Sequence, residues 1–325
     1  MSKYLLWSIE ENAFVEVDLP DNTFVEGFTL HKARYLTPKI QSPEEIDMTP
    51  IPIETLQEFQ DTGLLKLPAG DWSIDQQIEF DRVSGLRVCG AGMSYNKTAL
   101  PYDKQVTRLF WTGAAGTPWL KAKVRHGVFE DIQICDAKTW VFPESGFGTG
   151  LCYFNRVGFF GADAGIIFGD VSFNGNAADS KVRDCQFVNC DTCIETTTAQ
   201  NVNYVVDGGL FYRCDEIFRV TGGGLMTVRD SYLTQTPLIF NITGDGTLTG
   251  SQNHNFAVRD VKYDASQDTK PLIVQDTGSY GTNRELSILN IHEAPIGLDY
   301  INSTNASWVI QDLSTVADNF VPFTP

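Results

Sequence analysis

The sequence predicts an all-β fold, a right-handed single-stranded parallel β-helix (solenoid) of about ten coils with a small N-terminal appendage. Three observations predict it. A short strand motif recurs along most of the chain at irregular intervals, a second strand motif lies between its copies, and no stretch of helical length carries 3.6-residue amphipathic spacing between them.

The first motif is an apolar residue, any residue, Asp or a substitute, two further residues, then a large apolar or aromatic residue. It reads FEDIQI at 129–134, FNRVGF at 154–159, VRDCQF at 182–187, VVDGGL at 205–210, VRDSYL at 228–233, VRDVKY at 258–263, ILNIHE at 288–293 and IQDLST at 310–315. Its third positions are Asp131, Arg156, Asp184, Asp207, Asp230, Asp260, Asn290 and Asp312, at intervals of 25, 28, 23, 23, 30, 30 and 22 residues. A fixed strand motif at variable spacing is what coils with elastic loops produce.

The second motif comprises GIIFGD (165–170), CIETTT (193–198), IFRVTG (217–222), LIFNIT (238–243) and LIVQDT (272–277). These runs are rich in β-branched and aromatic residues and close on Gly, Asn, Asp or Thr, as short strands do. Towards the N-terminus, residues 64–92 supply an opening coil and VTRLFW (106–111) part of another. Stacked at ~4.8 Å, about ten coils make a rod of roughly 45–50 Å.

Residues 1–60 read differently. They hold strand-like pieces (FVEVDLP, FVEGFTL), a proline-rich stretch and the short helix candidate IETLQEFQDTG. A helix there covers the open end of the first coil, which otherwise presents unpaired strand groups. The expected division is an appendage at 1–60, the β-helix at 61–315 and a tail at 316–325.

The segment KLPAGDWSIDQQIEF, followed by RVCGAG (87–92), resembles the opening coil of the pectate-lyase-like superfamily and of bacteriophage tailspike and tail-fibre proteins. DCQFVNCDTCIET (184–196) resembles the internal coil of that superfamily. The resemblance implies a homotrimer, attachment of residues 1–60 to a virion tail or capsid, and host surface polysaccharide as partner. It is specific for architecture, because this fold hosts lyases, hydrolases and non-enzymatic spikes alike.

Composition narrows the classes. The net charge is −17 with no lysine- or arginine-rich block, so nucleic-acid binding is disfavoured. No apolar run spans a bilayer, and MSKYLLWSIEENAF is not a signal peptide, so no membrane insertion is expected. The expected location is the virion surface, after synthesis in the host cytoplasm. Seven cysteines include one C-x-x-C, Cys190 and Cys193, with no second pair or nearby histidine to complete a metal site; they read as structural thiols. No cofactor is expected.

The motif aspartates read as turn residues, since Asp and Asn tolerate left-handed backbone. In the second motif, alternation places Ile167, Ile194, Phe218, Ile239 and Ile273 inward and Phe168, Glu195, Arg219, Phe240 and Val274 outward in one row. If the rod cleaves glycan, Asp170 and Glu195 on adjacent coils are the candidate acid pair, with Arg219 holding one carboxylate ionised or orienting an acidic sugar. Phe168 and Phe240, with Trp140, Phe142 and Phe147 of the loop 137–150, are the candidate sugar-stacking residues. No G-x-S-x-G elbow occurs, and TGGGL (221–225) lacks the lysine and helix of a phosphate loop. The expected function is a viral spike or tail-fibre subunit that binds host surface glycan. The alternatives are a polysaccharide lyase or glycosidase on the same scaffold and a purely structural decoration protein.

Overall fold

The computed structural model describes residues 2–8, 13–19, 47–81, 85–94, 105–124, 126–136, 140–142, 149–169, 177–198, 202–244, 253–264, 271–278, 283–293, 298–303 and 308–312. The chain divides into two compact units, Met1–Ile46 and Asp47–Pro325. In the first, Ser2–Ser8 and Ala13–Leu19 pair antiparallel, Ser2 opposite Leu19 and Ser8 opposite Ala13. The piece FVEVDLP lies largely in this hairpin, whereas FVEGFTL falls outside the described residues.

The second unit is a parallel β-solenoid. Among the described residues its strands form one sheet of sixteen, one of nine and a two-stranded pair, Thr149–Gly150 with Ala177–Ala178, with every pairing between coils parallel. The sixteen-stranded sheet has two limbs, joined where long strands such as Gly127–Cys135, Cys152–Phe160 and Asn253–Tyr263 run through a corner from one limb to the other. All five strands of the second motif fall in the nine-stranded sheet: Ala164–Phe168, Thr192–Thr196, Glu216–Val220, Leu238–Ile242 and Leu272–Asp276.

Backbone conformation explains the motif aspartates. Asp131, Arg156, Asp184, Asp230, Asp260 and Asn290 all have φ between 49° and 55°, so each turns the chain from the first limb into the second. A second set follows five residues later, at Asp136, Gly161, Asn189, Arg213 and Gln235. Asp and Asn adopt this left-handed region with least strain, which is why the corners carry them.

Two motif positions are corrected by the register. Val182 pairs with Val206 and Arg183 with Asp207, so the corner of that coil is Gly208 (φ 71°), not Asp207. A Cβ on residue 208 would come within 2.5 Å of the Asp184 carboxylate, so glycine answers both the geometry and the space. Asp207 instead stands on the outer face of the first limb, where Arg183 (3.3 Å) and Arg229 (2.8 Å) donate to it from the coils on either side. Both arginines therefore offset Asp207, and Arg229 also reaches the corner Asp230 beside it at 4.0 Å. Asp312 pairs with Ile288, two residues ahead of the corner position, and is not a corner residue either.

At several corners the residue that follows has a repeated duty. The Cys185 thiol donates to the Arg183 carbonyl (3.2 Å) and accepts from the Val157 N–H of the preceding coil (3.4 Å). Ser231 does the same with the Arg229 carbonyl (2.7 Å) and the Gly209 N–H (3.1 Å). Thr236 repeats it with the Thr234 carbonyl and the Cys214 N–H, both 3.3 Å. Thiol and hydroxyl are thus alternative fillings of one site that pairs corner groups the sheet ladders leave over. All seven cysteines are free, and burial pushes the thiols of Cys152 and Cys185 up to about 12 and that of Cys193 to about 11, so they stay protonated and unreactive.

Between the corners the core is built of columns. Phe159, Phe187, Phe211 and Leu233 are register mates on successive coils, and their rings stack at 4.9 Å and 5.4 Å. Phe129 and Phe154 stack at 4.7 Å. At the N-terminal end the helix Ile53–Thr62 buries Leu56 and Phe59, with Phe59 stacked on Phe80 of the first coil at 5.9 Å. The helix ends at Gly63, whose left-handed turn (φ 77°) lets its N–H bond the Phe59 carbonyl at 2.7 Å. This helix, expected in the appendage, belongs to the solenoid unit. At the other end the column Phe168, Thr196, Val220, Ile242 continues as Asp276 and Ser303. There the buried Asp276 is held by Arg284 (3.2 Å), the Trp308 indole N–H (2.9 Å) and Ser303 (3.0 Å).

Two stability outcomes follow from the corners. Cys185→Ser keeps both bonds and is expected to be near neutral, while Cys185→Val leaves the Val157 N–H unpaired and is expected to cost about 1–3 kcal/mol in denaturant unfolding. Leu225 has φ 61° and is 41% exposed, so Leu225→Asn is expected to stabilise by ~1 kcal/mol by relieving left-handed strain at little loss of burial.

Candidate functional site on the nine-stranded sheet

The outer face of the nine-stranded sheet carries the sequence-selected charges, and its phase differs from simple alternation. Ala164 pairs with Thr192 and Ile166 with Ile194, but the register passes over Gly165 and Cys193. The same residue is passed over on the next coils, at Ile217, Ile239 and Ile273, each fully buried. Two consecutive residues therefore point inward, and the first and fourth of each strand point out. Thr192, Glu216, Leu238, Leu272 and Asp299 form one outer column. Ile167, Glu195, Arg219, Asn241, Gln275 and Asn302 form the other.

This phase corrects the expected outer row. Glu195 and Arg219 are in it, as register mates on adjacent coils. Phe168 and Phe240 are not; they are 1% and 0% exposed and pack in the core, Phe168 on Tyr204 at 4.7 Å and Phe240 on Phe218 at 5.6 Å. They present no ring to a ligand. Val274 is likewise inward, and Ile167, expected inward, stands in the outer column. The paired inward residues break the period of two, so a strand read one residue out of frame gives the wrong face. Asp170 and Phe147 lie outside the described residues, as do the side chains of Trp140 and Phe142.

Sequence reasoning missed Glu216, and it organises the site. Being first in its strand it faces out, three residues before Arg219, yet it is buried. Its Oε1 accepts from Arg219 Nε and from the Thr192 hydroxyl, both at 2.6 Å, and its Oε2 accepts from the Asn241 amide. The arginine is thus held by a carboxylate of its own coil rather than by Glu195. The only signal in the sequence was the E-x-x-R spacing, which brings two residues together once both first and fourth positions face out.

Glu195 is left half-buried, with no hydrogen-bond or ion-pair partner among the described residues. Burial raises its proton affinity above that of an ordinary glutamate; Arg219 opposes the shift and Glu216 adds to it. A carboxyl that binds its proton more tightly than usual, beside a carboxylate already charge-paired, is an arrangement that can donate a proton to a bound ligand. Among the described residues no group of three or more His, Cys, Asp or Glu is placed to hold a metal ion, and no helix is long and apolar enough to cross a membrane.

A second exposed feature lies on the second limb. Tyr232 is 37% exposed with the Lys262 ammonium 5.8 Å from its ring centre, and Tyr212 on the preceding coil has the Arg213 guanidinium at 5.0 Å.

No protein-family model matches the chain, and no curated protein matches it. Among solved structures, the catalytic domain of a GH87 alpha-1,3-glucanase in complex with nigerose aligns over 86% of this chain and 71% of its own, with 13% identity and a TM-score of 0.45. A protein of Geobacillus virus E2, ORF18, aligns over 76% of this chain and 53% of its own, with 14% identity and a TM-score of 0.39. DFA-IIIase from Arthrobacter chlorophenolicus A6 aligns over 80% of this chain and 81% of its own, with 12% identity and a TM-score of 0.37. Similarity at this level assigns no residue role in the present chain.

The raised proton affinity of Glu195 has a consequence for stability. Ionising it in the folded state is disfavoured, so its contribution to stability is full in acid and is lost as pH rises through its folded-state value. Glu195→Gln is therefore expected to raise the melting temperature at pH 7, with the gain vanishing in acid where the wild-type carboxyl is also neutral.

Proposed function

We propose that the solenoid acts on a polysaccharide as a glycoside hydrolase or lyase, with Glu195 as the acid that protonates the leaving glycosidic oxygen. The observation that carries this is the half-buried Glu195 carboxyl on an outer sheet face, unpaired among the described residues and with its proton affinity raised. Asp170 is the second carboxylate of this proposal, as general base or nucleophile in a hydrolase. Arg219 contributes a fixed positive charge beside the acid. Along the same outer column Asn241 bonds Glu216, and Gln275 and Asn302 bond each other; the donor and acceptor capacity left on these amides suits sugar hydroxyls, and Leu238 and Leu272 beside them supply apolar contact for a ring face. The aromatic loop bearing Trp140, Phe142 and Phe147 is proposed to stack on the glycan.

The winding is proposed to be right-handed, the sense that crossovers between parallel strands favour, with about ten coils. A second reading, a homotrimeric virion spike that binds host surface glycan without cleaving it and attaches through residues 1–60, draws on the half-buried Tyr212 and the exposed Tyr232 with their cations. Amphipathic rings at a polar surface are a common means of holding a ligand in place.

Release of reducing ends from bacterial capsule or lipopolysaccharide tests the two readings. Wild-type protein is expected to release them, and Glu195→Gln and Asp170→Asn to lose about 100-fold or more in rate. Equal rates in wild type and Glu195→Gln remove Glu195 from the chemistry. Glycan binding with no release by the wild type assigns the protein to the spike reading.

A further inference from the structure

We infer that Glu216 is a positioning residue that holds Arg219 away from Glu195, so that Glu195 can carry a proton. The geometry rests on three bonds. Arg219 Nε donates to Glu216 Oε1 at 2.6 Å, while Thr192 from the coil below (2.6 Å) and Asn241 from the coil above pin the same carboxylate. Glu216 is buried, so its charge is sheltered from water and its hold on the guanidinium is stronger than that of an exposed pair. Glu195 is the register mate of Arg219 and stands about one inter-strand spacing, ~4.8 Å, from it along the sheet. Without Glu216 the guanidinium has an obvious second partner in Glu195, and pairing there makes Glu195 an ordinary ionised surface carboxylate.

The charges facing Glu195 can be named strand by strand. The coil above contributes Glu216 and Arg219, one of each sign, already paired with each other. The coil below, Ala164–Phe168, contributes no titratable side chain, and the outward neighbour of Glu195 on its own strand is Thr192. Among the described residues, burial raises the proton affinity of Glu195, and the position of the Arg219 guanidinium sets how far that rise is opposed. Glu216 also presents a neighbouring negative charge, and both effects act in the same direction.

This inference rests on the proposed role of Glu195 only for its biological meaning; its test reads the proton directly. In full-length protein labelled with 13C at glutamate side-chain carboxyls, Glu195 is assigned by loss of its signal in Glu195→Gln and titrated by NMR. Glu216→Gln, which keeps the shape and some of the bonds, is expected to lower the Glu195 titration midpoint. Arg219→Met, which leaves Glu216 in place, is expected to raise it. If Glu216→Gln fails to fold, Glu216→Asp, which keeps the charge and shortens its reach to Arg219, decides, and a midpoint that does not fall there overturns the inference. A midpoint unchanged or raised in a folded Glu216→Gln protein overturns it as well. Absence of glycan cleavage by the wild type bears on the proposed function and leaves these midpoints as they are, so the two failures are distinguishable.

Discussion

Parallel in-register stacking is the constraint from which the rest of this molecule follows. Each strand bonds to the coil before it and the coil after it, so a residue sits directly upon its register mate at about 4.8 Å. Any property of one position is then repeated along a column. Phenylalanines stack on phenylalanines inside, and corner residues stack on corner residues with the same left-handed backbone. The repetition is favourable for apolar groups and unfavourable for like charges, which repel at this spacing. The outer column Arg183, Asp207, Arg229 alternates in sign, and a carboxylate flanked by two arginines is held below the usual aspartate range chiefly by its bond from Arg229.

The corners show how stacking solves the hydrogen-bond problem of a coil. A turn that breaks the ladder every five residues leaves N–H and carbonyl groups with no strand partner, and burying them unpaired is costly. Cysteine, serine and threonine at the residue after the corner each bridge two such groups. That use accounts for three of the seven free cysteines, Cys185, Cys190 and Cys214. The ends of the stack meet the same demand differently. A short helix with two buried apolar residues covers the first coil, and towards the last coil the apolar column gives way to Asp276 with its satisfied partners.

At the candidate site an outer column brings acids and a base together. Paired inward residues turn the first and fourth positions of each strand outward, which sets Glu216 and Arg219 in contact within one coil and sets Glu195 directly below Arg219. Two acids and one base in this small space cannot all be paired one to one. The buried acid takes the base, and the other remains half-buried and, among the described residues, unpaired. A protein built only for stability has no need of such a group, since a neutral residue there avoids the cost of desolvating a charge.

Much of the fold was legible because it is written in local preferences. Aspartate and asparagine at the corners, short β-branched strands, and a helix of ten residues ending at glycine all depend on the backbone near them. Their places could be read without knowing what lay above or below. Register could not, because the loops between coils vary in length and nothing in one coil counts residues for the next. That is why Asp207 and Asp312 were taken for corner residues when Gly208 holds the corner and Asp312 falls two residues short of it. It is also why Phe168 and Phe240 were expected outside: a period of two cannot be carried past a strand with two successive inward residues. The amino-acid sequence by itself determined a parallel solenoid with left-handed corners, and only the tertiary structure decided which acid holds Arg219, since that depends on which side chains stacking places face to face.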